Sequence, residues 1–290
     1  MRRRRRRREL FPPDHRLTLR MLGAALFVPA VVAGALWGVF AFAPLKLQIG
    51  VGLSLLIGVA AAGWERMERH SAGQELAPAD APALHGVVER LCVAADLPKP
   101  RIVREPERQP NSWVVGLGRG RARLHVTQGL LDRLSDAEIE AVVAHELAHI
   151  AHRDATVMTV VGGPASAMIA GGARLASEGS WFLMFGSVVA VAIGWLGSLG
   201  TRALSRYREF AADAGAAALT GSPSALASAL VKVSDGIVAI PHADLRAVAG
   251  RDAFHLLPTG WQLKFAATHP PLQARIERLE RIEARLQSAR

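Results

Sequence analysis

Cysteine is nearly absent from this sequence, since Cys92 is the only one among 290 residues. An internal disulfide is therefore impossible, and a zinc site built from several cysteines is excluded. The lone thiol fits a reducing compartment for the polar parts of the chain. A small-x-small cleavage site is also missing after the first apolar stretch, which is too long for a typical signal-peptide core. We therefore do not expect a cleaved secretory signal.

The net charge of +10 is concentrated at the N-terminus, because residues 2–8 are all arginine and leave only +3 for the rest of the chain. A polyarginine run can bind nucleic acid. Here it ends shortly before an apolar stretch, which favours an anchor on anionic lipid. The expected partner is the lipid bilayer, and we expect no specific nucleic acid.

Charged residues are missing from four apolar stretches, each about 18–23 residues long and so able to span a bilayer. They predict four transmembrane helices in two hairpins, with turns at 43–46 and 174–178. The second pair could instead be two buried helices of a soluble domain. Its Gly, Ala and Ser residues would suit close helix packing. The stretches are residues 21–43, 47–64, 155–173 and 179–201.

Basic residues flank these stretches unevenly. Arginines cluster at the N-terminus and directly after the second and fourth stretches, whereas the two turns carry only Lys46 and Arg174. The positive-inside rule then places both termini and the polar segments in the cytoplasm. The predicted parts are a basic tail (1–20), hairpin 1 (21–64), a first cytoplasmic part (65–154), hairpin 2 (155–201) and a second cytoplasmic part (202–290).

The polar parts predict a mainly α fold with a small β-sheet. Apolar residues at helical spacing predict helices, and short β-rich runs between Gly-rich turns predict strands. Residues 236–268 show no regular pattern. The predicted helices are 83–95, 202–219, 224–238 and 271–290, and the predicted strands are 101–104, 112–118 and 123–127.

The most informative motif is His145-Glu146-Leu147-Ala148-His149. Two histidines four residues apart on a helix lie on one face, with their Cβ atoms about 5–6 Å apart, and can ligate one zinc ion. Glu146 can reach a water at the metal without being a ligand, a pattern typical of zinc metalloproteases. Ser135 and Glu138 form a capping box that predicts the start of the required helix. The alternative is an amphipathic helix with incidental histidines.

A catalytic zinc ion needs a third protein ligand. Ala155 stands where one protease class has its third histidine, so that class is excluded and a downstream glutamate remains. Glu209 is the best candidate, and Asp213, one turn later, could accept a hydrogen bond from a ligating imidazole. Glu209 could equally pair with Arg206 or Arg202 on a solvated face, and spacing alone leaves both possibilities open.

Several separated motifs occur in order along the chain, at residues 111–116, 127–131, 145–154, 205–213 and 268–271, followed by Arg275. Together they resemble the HtpX-type membrane zinc metalloproteases, relatives of the CAAX prenyl endopeptidases. The resemblance implies a zincin-type α+β protease domain, with Glu209 as third zinc ligand and Asp213 supporting a ligating histidine.

The resemblance also implies roles for residues around the metal. Asn111, Ser112 and Trp113 correspond to an edge strand that binds substrate, and His269 to a histidine that steadies the tetrahedral intermediate. Ser112 and Trp113 replace the usual small–aromatic pair, which leaves the subsite preference open. Asn111 could instead be a turn residue, and His269 could simply precede a helix that Pro270 and Pro271 open.

The expected function is zinc-dependent hydrolysis of peptide bonds, with one Zn²⁺ per chain and Glu146 as the catalytic acid–base. We expect a multi-pass protein of the bacterial cytoplasmic (inner) membrane with a cytoplasmic active site. By resemblance, its substrates are damaged or misfolded membrane proteins. One alternative is cleavage of lipidated peptides, which needs a lipid-sized chamber that two hairpins do not readily build. Another is a scaffold with structural zinc, which needs a fourth ligand that the sequence does not offer.

Overall fold

The computed structural model describes residues 15–71, 73–116, 118–177, 181–238 and 269–288. The arginine run at 2–8 and most of the irregular stretch, 239–268, lie outside these residues. The described chain is mainly helical with one small mixed sheet, as predicted. It forms two compact units. A helical unit comprises Thr18–Ala72 and Val157–Leu204, and a sheet-containing unit consists mainly of Gly73–Thr156 and Ser205–Arg290.

In the described part of the chain, all strands lie between residues 74 and 127, with helices before and after them. The helices are α1 (His15–Phe42), α2 (Leu45–Ser71), α3 (Pro82–Ala95), α4 (Gln128–Arg133), α5 (Asp136–His152), α6 (Asp154–Ser177), α7 (Trp181–Thr220), α8 (Pro223–Val238) and α9 (Leu272–Ser288). The strands are β1 (Gln74–Glu75), β2 (Arg101–Glu105), β3 (Ser112–Val115) and β4 (Arg123–Thr127).

Three of the four predicted membrane spans are supported. Thr18–Phe42 in α1, Asp154–Ser177 in α6 and Leu183–Thr220 in α7 are long and apolar enough to cross a bilayer. Among the described residues, the apolar helix Leu45–Ala61 within α2 is shorter than these three. The fourth stretch and the helix predicted at 202–219 form one continuous helix, since no proline interrupts the chain there.

Close packing between α2 and α6 depends on glycine. A Cβ atom at Gly171 would overlap the carbonyl oxygen of Ser54, and one at Gly58 would overlap the backbone of Ala167. The two backbones are therefore in direct contact, as the small residues of the third apolar stretch suggested. The buried Ser54 hydroxyl donates to the Gly50 carbonyl oxygen at 2.8 Å, so no polar group is stranded there.

Large apolar side chains cover the outside of the helical unit. Phe27, Trp37 and Phe185 each expose about two thirds or more of their surface. Exposed apolar area of this extent is unusual for a protein surrounded by water. The surface therefore fits a lipid environment.

The sheet of the other unit has the order β1-β2-β4-β3, with β2 and β4 parallel and the remaining pairs antiparallel. Strand β3 consequently lies at an edge of the sheet. Neither the two-residue β1 nor the one-turn α4 was predicted, since both are too short to show a period. Leu124 of β4, Val88 of α3, Leu147 of α5 and Leu230 of α8 belong to one continuous apolar core.

Helix α5 begins where the capping box predicts. The Ser135 backbone N–H and hydroxyl both donate to the Glu138 carboxylate, at 2.8 and 2.9 Å. The helix ends at Arg153, whose φ of +59° turns the chain directly into α6. Both ends of the helix that carries the histidine motif are therefore defined by local structure.

Candidate metal centre

Helices α5 and α7 bring three candidate ligands together. The His145 and His149 Nε2 atoms lie 3.1 Å apart. The Glu209 carboxylate oxygens lie 3.7 Å from His145 Nε2 and 3.6 Å from His149 Nε2. Glu209 is buried, so its carboxylate lies among the histidines and not on a solvated face. These three side chains form the one possible metal-binding group found among the described residues.

The separations fit a zinc ion. Zn–N and Zn–O bonds of about 2.0–2.1 Å at tetrahedral angles put ligand atoms about 3.3–3.4 Å apart, and the observed 3.1–3.7 Å bracket that value. When both histidines carry their proton on Nδ1, the two Nε2 lone pairs face one another at 3.1 Å and repel. A cation between the two nitrogens would remove that repulsion.

Each histidine is held by its own carboxylate. His145 Nδ1 lies 3.0 Å from Asp213 Oδ1, and His149 Nδ1 lies 2.6 Å from Asp154 Oδ2. A proton on each Nδ1, donated to the carboxylate, leaves each Nε2 free to bind metal. Asp213 was predicted in this position. Asp154 was not assigned a role, although it closes the motif at 145–154.

Two buried arginines neutralise these carboxylates. Arg275 of α9 donates to both oxygens of Asp213, at 2.9 and 2.6 Å, and lies 3.3 Å from Glu209 Oε2. Arg208 Nε lies 2.9 Å from Asp154 Oδ1. Burial would lower the pKa of the Arg275 guanidinium, but Asp213 and Glu209 raise it, so the charge persists. Neither arginine was predicted to belong to the site, although both lie in the motifs that carry the resemblance.

The charges of the site fit a divalent cation. Four buried carboxylates face two buried arginines, which leaves two negative charges when the histidines are neutral. Burial would lower the pKa of His149, but Asp154, Glu209 and Glu146 raise it, so a proton competes with metal for this ligand. A Zn²⁺ ion would compensate the excess charge. The carboxylates are Glu146, Asp154, Glu209 and Asp213, and the arginines are Arg208 and Arg275.

Glu146 lies beside the candidate ligand His145 and next to strand β3. The Ser112 hydroxyl donates to Glu146 Oε1 at 2.8 Å. Trp113 stacks on the His125 ring at 5.1 Å, on the other face of the strand, and only 8% of it is exposed. The structure therefore places Ser112 at the candidate site and the Trp113 side chain away from it.

Asn111 precedes β3 and is buried. Its backbone N–H donates to Thr127 Oγ1 at 2.9 Å, and its Oδ1 accepts from the Ser112 N–H at 2.9 Å. His269 directly precedes the proline pair and α9, and its Nδ1 lies 3.4 Å from Glu209 Oε2. The structure thus brings His269 beside the candidate ligands, whereas Asn111 shapes the start of the edge strand.

Comparisons with known proteins show which family this chain is similar to. Residues 78–283 match Peptidase family M48. A protease HtpX homolog of Moorella thermoacetica is 38% identical over 293 residues, covering 93% of this chain and 97% of its own length. Protease HtpX homolog 1 of Streptomyces coelicolor is also 38% identical, with coverage of 96% and 97%. The crystal structure of S. mikatae Ste24p aligns with a TM-score of 0.48 at 18% identity, covering 93% of this chain and 66% of that one.

Proposed function

The chain belongs to Peptidase family M48, and from this premise we propose that it is a zinc endopeptidase anchored in the bacterial inner membrane, acting at the cytoplasmic face. A membrane metalloprotease follows from the family, its protease relatives and the apolar helices. The resemblance to HtpX-type proteases is confirmed. The observation that carries the proposal is the cluster of buried His145 and Glu209 with half-buried His149, in a site whose carboxylates outnumber its arginines by two.

The proposed chemistry is hydrolysis by an activated water. His145, His149 and Glu209 would hold a Zn²⁺ ion, which would supply the Lewis acidity for polarising the scissile carbonyl and acidifying the water. The Glu146 carboxylate accepts the proton of the attacking water and passes it to the leaving amine. His269 donates a hydrogen bond to the oxygen on which negative charge develops.

The proposed substrate is an extended segment of a protein. Because β3 lies at a sheet edge, a substrate strand can pair with the backbone around Asn111, Ser112 and Trp113. The Trp113 side chain packs on His125, so its contribution to substrate binding is through the backbone. The uneven distribution of basic residues supports cytoplasmic loops of membrane proteins as substrates. The resemblance to HtpX-type proteases extends the proposal to damaged or misfolded membrane proteins.

The ligand set favours catalysis over a scaffold. The metal-binding group contains three side chains in the described part of the chain, which leaves one coordination position open. Structural zinc sites are closed by four protein ligands. An open position is what a hydrolase needs for water or substrate.

The test uses the detergent-purified full chain, with zinc content and casein cleavage measured together. Glu146→Gln should keep its zinc and lose at least about a hundredfold in rate, because it cannot take up the proton. Glu140→Gln, on the same helix and bonded to Arg90, is the matched control and should keep both properties. Wild-type cleavage by Glu146→Gln would refute the mechanism.

A second variant tests the third ligand, since Glu209→Ala should lose zinc. Full zinc occupancy in that variant would remove Glu209 from the site. A prenylated peptide assayed beside casein separates the alternative protease class. Strong preference for the prenylated peptide would favour cleavage of lipidated substrates.

A further inference from the structure

The contact between Ser112 and Glu146 joins the edge strand to the helix of the metal centre. The two residues are 34 positions apart, both are buried, and the hydroxyl oxygen lies 2.8 Å from Glu146 Oε1. An ionised carboxylate can only accept hydrogen bonds, so Ser112 is the donor. Hydrogen bonds to a charged acceptor are stronger than neutral ones.

The Ser112 hydroxyl is held in place by its own strand. Successive side chains alternate between the faces of a strand, and Trp113 occupies the face that carries His125. Ser112 therefore points to the face that carries α5. Its backbone N–H donates to Asn111 Oδ1, and the Asn111 backbone is bonded to Thr127, so the start of β3 is fixed to β4.

We propose that Ser112 is a positioning residue whose hydroxyl holds the Glu146 carboxylate in the orientation from which it takes a proton. This inference rests on the proposed function, because orientation matters only if Glu146 is the base. A glutamate side chain has three rotatable bonds, and only 3% of Glu146 is exposed, so bulk water does not orient it. The bond to Oε1 leaves Oε2 as the atom that accepts the proton.

The size of the effect follows from geometry. A general base must lie within about 2.6–3.2 Å of the proton's donor atom. Displacement of a catalytic group by about 1 Å can cost about a hundredfold in rate. Loss of one of the contacts that hold the carboxylate should therefore lower kcat by about tenfold, since the helix still carries Glu146 to the site.

The experiment compares Ser112→Ala and Ser112→Thr with wild type, using steady-state peptide cleavage, zinc content and thermal melting. We expect Ser112→Ala to lower kcat about tenfold, with KM and zinc content close to wild type. The melting temperature should fall slightly, because the buried Glu146 carboxylate loses a hydrogen bond. Ser112→Thr retains the hydroxyl and should restore most of kcat. If the added methyl unfolds that variant, Ser112→Ala decides alone, because alanine adds no atom at a buried position.

Ser228→Ala is the matched control, since Ser228 Oγ donates to the Glu138 carboxylate at 2.6 Å. Glu138 lies in the first turn of α5, and the candidate ligands of that helix come later in its sequence. It should leave kcat unchanged. An unchanged kcat in Ser112→Ala would overturn the positioning role. The proposed function would still stand in that case if Glu146→Gln is inactive. A raised KM at constant kcat would equally overturn it and make Ser112 a substrate contact. If the wild-type chain cleaves no peptide, the proposed function fails and the inference fails with it.

Discussion

Replacing Asp154 with asparagine should weaken zinc binding about 30- to 100-fold. Asp154 Oδ2 accepts from His149 Nδ1 at 2.6 Å, and Oδ1 lies 2.9 Å from Arg208 Nε. An asparagine has only one acceptor oxygen, so it can satisfy one of these two donors and must turn its NH₂ group toward the other. His149 then loses either the hydrogen bond that orients its ring or the acceptor that keeps its proton on Nδ1.

The magnitude comes from the role of such carboxylates in metal sites. Loss of a hydrogen bond to a ligating histidine costs about 10–100-fold in affinity, or about 1.4–2.8 kcal/mol. The upper part of that range applies here because the bond is short and the Asp154 side chain is only 2% exposed. Bulk water therefore cannot replace the lost acceptor.

The assay is zinc titration of the metal-stripped full chain in detergent, in competition with a chromophoric chelator at neutral pH. Asp136→Asn is the matched control, because Asp136 is exposed in the first turn of α5 and should leave affinity unchanged. The variant Arg208→Met distinguishes a loss of zinc affinity from a loss of fold stability. It breaks the buried ion pair and destabilises the fold by about 3–5 kcal/mol, but it leaves the His149 bond intact. Wild-type affinity in Asp154→Asn, or an equal loss in Arg208→Met, would contradict the reasoning.

Two further predictions concern stability. Burial would raise the pKa of Glu138, but hydrogen bonds from Lys232, Ser228 and Ser135 outweigh it and lower the pKa from 4.5 to about 2. The ionised form of Glu138 therefore stabilises the fold above about pH 4.5, and this stabilisation is lost as the pH falls toward 2. It amounts to about 2 kcal/mol after allowance for the partly exposed Lys232. Glu138→Gln should flatten that dependence in melts recorded from neutral pH to pH 3, and an unchanged slope would refute the assignment. Gly171→Leu should destabilise the helical unit by at least about 2 kcal/mol in detergent melts, because its side chain meets the Ser54 carbonyl. Gly163→Leu on the same helix has open space and should cost much less, so equal losses would refute the packing argument.

Local patterns were sufficient for the helices and for part of the site. The capping box at Ser135 and Glu138 and the apolar spacing that follows correctly predicted α5, because both depend on contacts within one turn. The apolar stretches likewise predicted helices, but length alone did not separate the shorter apolar part of α2 from three longer spans. The sequence pattern did not predict that α7 continues without a break to Thr220. The change from apolar to polar residues near position 202 looks like the end of one helix and the start of another.

The sequence by itself determined the motif at 145–149 and the apolar character of the membrane helices, because these depend on residue type and short spacing. Spacing left Glu209 open as a third ligand, and the structure places its carboxylate beside both histidines. Only the tertiary structure decided how the charges of the site are compensated. Arg275 reaches Asp213 across 62 residues, and Ser112 reaches Glu146 across 34. Such contacts exist only once β3 and α9 have packed beside the ligand helices. The reason is physical: a buried carboxylate must find a partner somewhere, but which partner it finds depends on packing and not on sequence distance.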